Sequence, residues 1–132
     1  RFYLDNQFDP NLVDQMYAKL VESSFETGQH MQVARWKGEP VGLFICKKVQ
    51  TYDSYSGLRV APLRFLVIDR KYRNMKIAQH LFLYMLAYAR QRSDLVSTGL
   101  ESHNIASMNL HAKLGFRFNH SHSIYHWHSL SK

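Results

Sequence analysis

The feature that most constrains this chain is a largely apolar run, Leu63 to Ile68, that passes through a short basic loop into a long helical pattern. A run of this length and composition is typical of a buried strand. The following stretch, Ile77 to Arg92, contains no glycine or proline. Its apolar stripe consists of Ile77, Leu81, Met85 and Tyr88. A buried strand followed at once by a core-facing helix predicts a domain of α/β or α+β class.

The other elements N-terminal to this run follow from local signals. Asp9 and Pro10 predict the start of a helix, because aspartate caps a helix and proline fits its first turn. Two strands are predicted, Met31–Trp36 and Val41–Val49, joined by a turn at Lys37–Pro40. The polar segment Thr51–Gly57 is predicted to form a loop or hairpin tip.

C-terminal to the long helix, three further elements are predicted. Leu95–Glu101 is a short strand, and Asn104 caps a helix that runs to Leu114 and ends at Gly115. Phe116–His128 is predicted to be strand in two lengths. The resulting order predicts one domain over residues 1–132, with a central mixed sheet flanked by helices.

Composition excludes several classes of protein. The net charge is +7, from 17 Lys and Arg against 10 Asp and Glu, which favours phosphorylated ligands. The basic residues are scattered and no zinc-finger spacing occurs, which argues against nucleic acid as the partner. The sequence contains no run of about 18 apolar residues, so no membrane-spanning helix is predicted. Cys46 is the single cysteine and is predicted to be a small apolar strand residue. We therefore expect a cytoplasmic protein.

The segment between the buried strand and the long helix predicts an anion site. The first N–H groups of a helix have no partner within the helix and lie at its positive dipole end. Four cationic side chains lie close by: Arg70, Lys71, Arg73 and Lys76. A pyrophosphate is the natural ligand for this combination, and a solvated basic loop is the alternative reading.

Two motifs here resemble those of the GNAT acetyltransferase superfamily. Arg73-Asn74-Met75-Lys76-Ile77-Ala78 is similar to the acyl-CoA pyrophosphate loop Arg/Gln-x-x-Gly-x-Gly/Ala. The second is similar to Asn-x-x-Ala/Ser-x-x-Leu-Tyr-x-Lys-x-Gly-Phe and runs from Asn104 to Phe116. The chain departs from the pattern twice, with Lys76 at the first loop glycine and His111 at the tyrosine. A lysine there is expected to tighten or tilt the loop, or to supply a charge instead.

The resemblance implies a GNAT fold and acetyl-CoA as co-substrate. It implies that the backbone of Leu66, Val67 and Ile68 pairs with pantetheine, that the amides from Arg73 to Ala78 hold the pyrophosphate, and that Asn104 faces the pantetheine arm. At the position of the family's tyrosine, His111 would stabilise the departing thiolate, either as imidazolium or through a neutral N–H. Many members of the fold are dimers, so a homodimer is expected.

The sequence does not identify the base that takes the proton of the amine. Glu101 and His103 lie at the end of the predicted strand, and a chain of water molecules is an equal alternative. His120 and His122 share one strand face, as do His126 and His128, but neither cysteine nor clustered aspartate supports a metal site, and none is predicted.

The two ends of the chain carry a finer resemblance. Arg1-Phe2-Tyr3-Leu4-Asp5 and Ser123-Ile124-Tyr125-His126-Trp127 are similar to the ends of nucleotide-sugar amine acetyltransferases of the dTDP-fucosamine type. This implies an amino sugar on a nucleotide diphosphate as the acceptor. Those enzymes usually carry a further N-terminal domain, and the sequence leaves open whether one precedes residue 1. The alternatives are a GNAT enzyme for a polyamine, amino acid, antibiotic or protein N-terminus, an acyl-CoA-binding module without activity, and a nucleic-acid binder.

Overall fold

The computed structural model describes residues 3, 5, 7–52 and 54–127. The chain divides into two compact units, Arg1–Glu101 and Ser102–Lys132, each of which is described by itself. The first unit contains two helices, α1 (Pro10–Glu26) and α2 (Ile77–Arg90). Its strands are β1 (His30–Trp36), β2 (Glu39–Cys46), β3 (Gln50–Thr51), β4 (Arg59–Ile68) and β5 (Leu95–Thr98). The second unit contains α3 (Ile105–Lys113).

The sheet of the first unit is mixed, as predicted. Its order is β1-β2-β4-β3 with antiparallel pairing, and β5 pairs with β4 in parallel. A parallel neighbour needs a crossover connection, and α2 supplies it between β4 and β5. Strand β4 is therefore central, with β2 and β3 along one edge and β5 along part of the other.

The two helices cover opposite faces of this sheet. Phe44 on β2 contacts Phe82 of α2 edge-on, with ring centroids 4.8 Å apart. Phe65 on β4 stacks on Tyr17 of α1 at 5.7 Å. Phe65 pairs with Ile45, the neighbour of Phe44, and adjacent strand residues point to opposite faces. The buried residues of the core come from both faces and include Val13, Val41, Phe44, Ile45, Leu81, Phe82 and Met85.

A cluster of rings closes the end of the α2 face. His30 of β1 stacks on Tyr88 of α2 at 3.6 Å between ring centroids, and the Arg92 guanidinium carbon lies 4.1 Å from the Tyr88 centroid. Burial and, to a lesser extent, Arg92 lower the pKa of His30. The neutral imidazole therefore packs as an aromatic ring, which holds the edge strand β1 against α2.

Local signals set several element ends where they were predicted, whereas the strand predicted to reach Val49 ends at Cys46. Asp9 caps α1, and its side chain accepts a hydrogen bond from the N–H of Asn11 at 2.8 Å. The predicted four-residue turn after β1 is shorter, because Lys37 and Gly38 both have positive φ, and Glu39 and Pro40 already belong to β2. Two-residue turns with positive φ match the twist of the strands they join. Cys46 is buried in β2, and this burial raises the pKa of its thiol.

The prediction of strand over Phe116–His128 is wrong for the part that the structure describes, since Phe116–Trp127 forms no strand, and His128 lies outside the described residues. The segment is exposed, with Phe118, Tyr125 and Trp127 all more than 80% accessible. Strand propensity reflects packing against neighbouring strands, and no described strand pairs with this segment. Its polar centre, Asn119–Ser123, also supplies no apolar face to bury.

Candidate functional site

The first component of the candidate site is an unpaired stretch of the β4 backbone. Strand β5 pairs with β4 only from Val60 to Leu63, whereas β4 continues to Ile68. On the opposite edge β2 pairs with β4 as far as Ile68, and the Asp69 N–H donates to the Val41 carbonyl at 2.9 Å. Backbone groups alternate between the two edges of a strand. The N–H and C=O of Leu66 and Ile68 therefore point to the edge that no described strand covers.

This edge is open because β4 contains a bulge. Ile45 pairs with Phe65, but the next residue of β2, Cys46, pairs with Leu63, so that Arg64 is an extra residue without a partner in the register. An extra residue bends the strand and re-aims the groups around it, and bulges of this kind occur beside active sites. The bulge lies immediately after the last pair with β5, Leu63 with Thr98. It is therefore the point at which β4 diverges from β5.

The second component is the loop between β4 and α2. A short 3₁₀ turn, Arg70–Tyr72, is capped by the Asp69 side chain, which accepts from the Lys71 N–H at 2.9 Å. Asn74 and Lys76 then have positive φ values of 66° and 59°. Within the described part of the chain, no hydrogen-bond acceptor is found for the backbone N–H groups from Asn74 to Gln79. Successive N–H groups in such a turn form a concave site for an anion.

Lys76, at the position of the family's first loop glycine, has a left-handed backbone conformation. It is the N-cap of α2 and has φ 59° and ψ 8°, the left-handed conformation that glycine adopts at no steric cost. Its side chain makes no capping hydrogen bond. The backbone path is therefore that of a glycine, and the ammonium group is left exposed to solvent beside the N–H groups.

Arg73 joins the two components. Its Nε donates to the carbonyl of Ile68, with 3.3 Å between the two atoms. This carbonyl is one of those on the uncovered edge of β4, so the contact fixes the start of the loop against the end of the strand. The remaining N–H groups of the guanidinium are exposed to solvent together with the side chains of Arg70, Lys71 and Lys76. The structure thus places Leu66, Ile68 and the N–H groups from Asn74 to Ala78 in one continuous feature of the first unit. Two predictions are wrong in detail: the backbone groups of Val67 point to β2, and the Arg73 N–H donates to the Arg70 carbonyl.

The second unit holds Asn104 and His111 on α3. Asn104 is the N-cap, and its side chain accepts from the Ser107 N–H at 3.1 Å. His111 is buried, and its Nδ1 lies 2.7 Å from the carbonyl oxygen of Ser107. A carbonyl oxygen can only accept a hydrogen bond, so Nδ1 is the donor. Nδ1 therefore carries a proton. In the neutral ring Nε2 is then the acceptor, and only the imidazolium has an Nε2–H to donate.

Glu101 and His103, the candidate bases, lie in the irregular segment between β5 and α3. Strand β5 ends at Thr98, three residues earlier than predicted, and both side chains are exposed. Glu101 is the last residue of the first unit, and His103 belongs to the second. Neither is fixed by a described hydrogen bond of its side chain, and their role stays a prediction.

Arg64 and the Tyr17–Phe65 stack were not singled out from the sequence. A signal for Arg64 was present, because it is the one charged residue in the run Leu63–Ile68. The bulge itself has no sequence signature. For metals, no group of three His, Cys, Asp or Glu side chains that could hold an ion occurs within residues 3, 5, 7–52 and 54–127. Over the same residues no helix is long and apolar enough to cross a membrane.

Comparison with known families agrees with this geometry. The model of the Acetyltransferase (GNAT) family matches residues 2–116. The chain therefore belongs to the GNAT acetyltransferase family, whose enzymes use acetyl-CoA as the acyl donor and act on amines. No curated protein matches the sequence well enough to be called a relative.

Solved structures share the fold at low sequence identity. A transcriptional regulator from Bacillus halodurans C-125 has a TM-score of 0.72 and 18% identity, over 85% of this chain and 75% of the other. A ribosomal-protein-alanine N-acetyltransferase from Brucella melitensis biovar Abortus 2308 has a TM-score of 0.64 and 16% identity, over 77% and 73%. AAC(6')-Iy, in complex with the bisubstrate analog CoA-S-monomethyl-acetylneamine, has 0.66 and 16%, over 87% and 80%. At these identities the likeness shows the fold alone.

Proposed function

We propose that the chain is an N-acetyltransferase that moves an acetyl group from acetyl-CoA to the primary amine of a small molecule, and that this amine belongs to a nucleotide-linked amino sugar. The observation that carries the first part is the uncovered edge of β4 that leads directly into a loop of unpaired N–H groups. A strand edge binds an extended ligand through backbone hydrogen bonds, and pantetheine carries two amides that suit this mode. The loop N–H groups suit its pyrophosphate.

The residues of the site would act as follows. Leu66 and Ile68 bind and orient the pantetheine arm, and the N–H groups from Asn74 to Ala78, with the Arg73 guanidinium, bind the pyrophosphate. Asn104 is assigned to the pantetheine arm by the family resemblance alone, and its side-chain oxygen caps its own helix. Backbone N–H groups at the open edge polarise the acyl carbonyl, an interaction that contributes a few kcal/mol in other enzymes.

In the reaction, the amine nitrogen forms a bond to the acyl carbon while the carbon–sulfur bond breaks. The nitrogen loses a proton, and the sulfur leaves as thiolate and takes up a proton. We assign the proton that the sulfur takes up to His111. The ring can donate it from Nε2 only as imidazolium, since Nδ1–H is engaged by the Ser107 carbonyl. The neutral form would offer no N–H to the sulfur. The proton that the amine nitrogen loses passes to Glu101, to His103 or to water.

The proposal of a nucleotide-sugar acceptor has two grounds. It is motivated by the resemblance of the chain ends, Tyr3 and Asp5 at one end and Ser123–Trp127 at the other, and by the net charge of +7, which suits a second phosphorylated substrate. Of these residues, Tyr3 donates a hydrogen bond to Asp14 of α1, which raises the pKa of Tyr3 to about 12. The phenol is therefore kept protonated and ties the start of the chain to α1.

The binding part is tested by calorimetry with acetyl-CoA at fixed salt. Arg73→Glu should weaken binding at least tenfold, because it replaces a cation at the loop with an anion and breaks the contact to Ile68. Lys19→Glu, the same charge reversal on α1, is the control and should bind as the wild type does. Unchanged affinity of a folded Arg73→Glu variant would remove the loop from the site.

The acceptor is tested by mass spectrometry of the products. The protein is incubated with acetyl-CoA and a panel of nucleotide amino sugars, free amino sugars, polyamines, amino acids and a peptide N-terminus. Acetylation of a nucleotide amino sugar in preference to the others is the expected result. Preference for another class of amine would show that the acceptor belongs to that class instead. Binding of acetyl-CoA without transfer to any amine would favour an acyl-CoA-binding module.

A further inference from the structure

Three arginines lie on the strands of the sheet, and they differ in what they bind. Arg35 on β1 donates to the Gly38 carbonyl at 3.0 Å. Arg59 on β4 forms an ion pair with Asp94 at 3.0 Å, and this pair ties the start of β4 to the start of β5. Arg64 on β4 is exposed and forms neither a hydrogen bond nor an ion pair with any residue that the structure describes. Its guanidinium is therefore available to a ligand.

The position of Arg64 is unusual for a charged residue that has no partner. It is the extra residue of the β4 bulge, between Leu63, which pairs with Cys46, and Phe65, which pairs with Ile45. It also follows the last residue of β4 that pairs with β5. A charged residue is rare in such an apolar run, and no hydrogen bond or ion pair among the described residues explains it here.

The location relative to the reaction follows from the direction of β4, and this step rests on the proposed function. The anion-binding loop lies at the Ile68 end of the strand, so an arm bound along the open edge runs from there towards Leu66 and the bulge. From Ile68 to Arg64 the strand advances four residues, about 13 Å at roughly 3.3 Å per residue. The acyl end of the arm therefore lies towards Arg64, and the amine must reach it there.

We propose that Arg64 binds an anionic group of the acceptor, so that the enzyme prefers amines that carry a phosphate or carboxylate near the amino group. A guanidinium binds either anion through two parallel hydrogen bonds, which fixes orientation as well as distance. No carboxylate of β4 competes for it, since the strand contains no acidic residue. Arg64 is thus a specificity-determining residue for the acceptor, with no part in binding acetyl-CoA.

The experiment compares matched pairs of acceptors in the full chain saturated with acetyl-CoA. The pairs are glucosamine with glucosamine 6-phosphate, and glycinamide with glycine, so that phosphate and carboxylate are tested separately. Transfer is followed by release of CoA, and binding of each probe to the CoA-saturated protein is measured by calorimetry. The wild type should favour the anionic member of at least one pair by tenfold or more in kcat/KM, or in affinity where turnover is too slow.

The variants are Arg64→Gln, Arg64→Lys and a matched control, Arg90→Gln, at the far end of α2. Arg64→Gln should abolish the preference by raising KM for the anionic probe at least tenfold, with the neutral probe and acetyl-CoA affinity unchanged. Arg64→Lys keeps the charge but not the paired hydrogen bonds, and should retain part of the preference. Arg90→Gln should behave as the wild type.

Two results would overturn the proposal: no preference for an anionic probe in the wild type, or a preference that survives in Arg64→Gln. Thermal unfolding of each variant shows whether it is folded, and Arg64→Lys decides the matter if the glutamine variant is not. Failure of the wild type to bind acetyl-CoA would instead count against the proposed function. Intact acetyl-CoA binding without anion preference would remove only the role of Arg64.

Discussion

Lys76→Gly should stabilise the protein, because Lys76 holds a left-handed backbone with φ 59° and ψ 8°. An L-residue costs roughly 1–2 kcal/mol in that conformation, whereas glycine adopts it freely. Glycine also increases the freedom of the unfolded chain, which costs about 0.4–1 kcal/mol. At the middle of these two ranges, the net gain in the free energy of unfolding is about 0.8 kcal/mol. For a chain of this size, such a gain raises Tm by about 2–4 °C.

Lys76→Ala separates the backbone effect from the charge effect. It removes the same ammonium group but keeps a Cβ, so the strain of the left-handed conformation remains. We expect no increase in the free energy of unfolding for the alanine variant in urea denaturation. If both variants were stabilised equally, the gain would come from relief of repulsion with Arg70, Lys71 and Arg73, and the backbone argument would be refuted.

Acetyl-CoA binding provides the second measurement on the same pair of variants. If the Lys76 ammonium contacts a phosphate, both variants lose one ionic contact, and their affinities should fall less steeply with added salt than that of the wild type. Lys76→Gly should keep most of the affinity at fixed salt, because the N–H groups of the loop are unchanged. A salt dependence identical to that of the wild type would show that the lysine contributes through its backbone alone.

Three further predictions concern the helices and the strand ends. His111→Ala should lower kcat by about 10²-fold without changing acetyl-CoA affinity, because the variant has no side-chain donor for the departing sulfur; wild-type turnover by the alanine variant would end this assignment. Asp9→Ala should lower the free energy of unfolding by about 1 kcal/mol, whereas Asp9→Asn, which also accepts from the Asn11 N–H, should not. The hydrogen bonds from Arg59 hold the pKa of Asp94 below its usual range. The stabilisation from this pair is therefore present at neutral pH and lost as pH falls through the lowered pKa, so the stability difference between the wild type and Asp94→Asn should shrink in acid.

The parts of the fold that follow from the sequence are those set by local chemistry. Asp9 and Asn104 were predicted to cap helices, and both accept a backbone N–H in the structure. Gly115, predicted to end α3, has a φ of 86°, which glycine adopts without strain. The strand–loop–helix segment from Leu63 onward was likewise predicted, since an apolar run and a stripe of helical period require only the residues within them.

The parts that did not follow depend on pairing between distant segments. The bulge at Arg64 exists because two strands match in register on either side of it, and no single segment specifies that register. The wrong strand prediction for Phe116–Trp127 has the same origin. Alternating aromatic residues favour a strand only where another strand pairs with them, and no described strand does so here. Local pattern therefore predicts the binding loop better than it predicts the acceptor side of the site.

The loop after β4 and the bulge within β4 have different roles in the proposed site. At one end of the open edge of β4, next to the left-handed residues Asn74 and Lys76, lie the N–H groups for which we propose binding of the pyrophosphate common to every acyl-CoA. At the other end, the bulge holds Arg64, for which we propose binding of the acceptor. The first feature depends on backbone conformation, and Lys76 adopts the left-handed conformation that glycine favours. The second depends on the side chain of Arg64, so under this proposal a substitution there should alter which amine is acetylated without affecting how acetyl-CoA is bound.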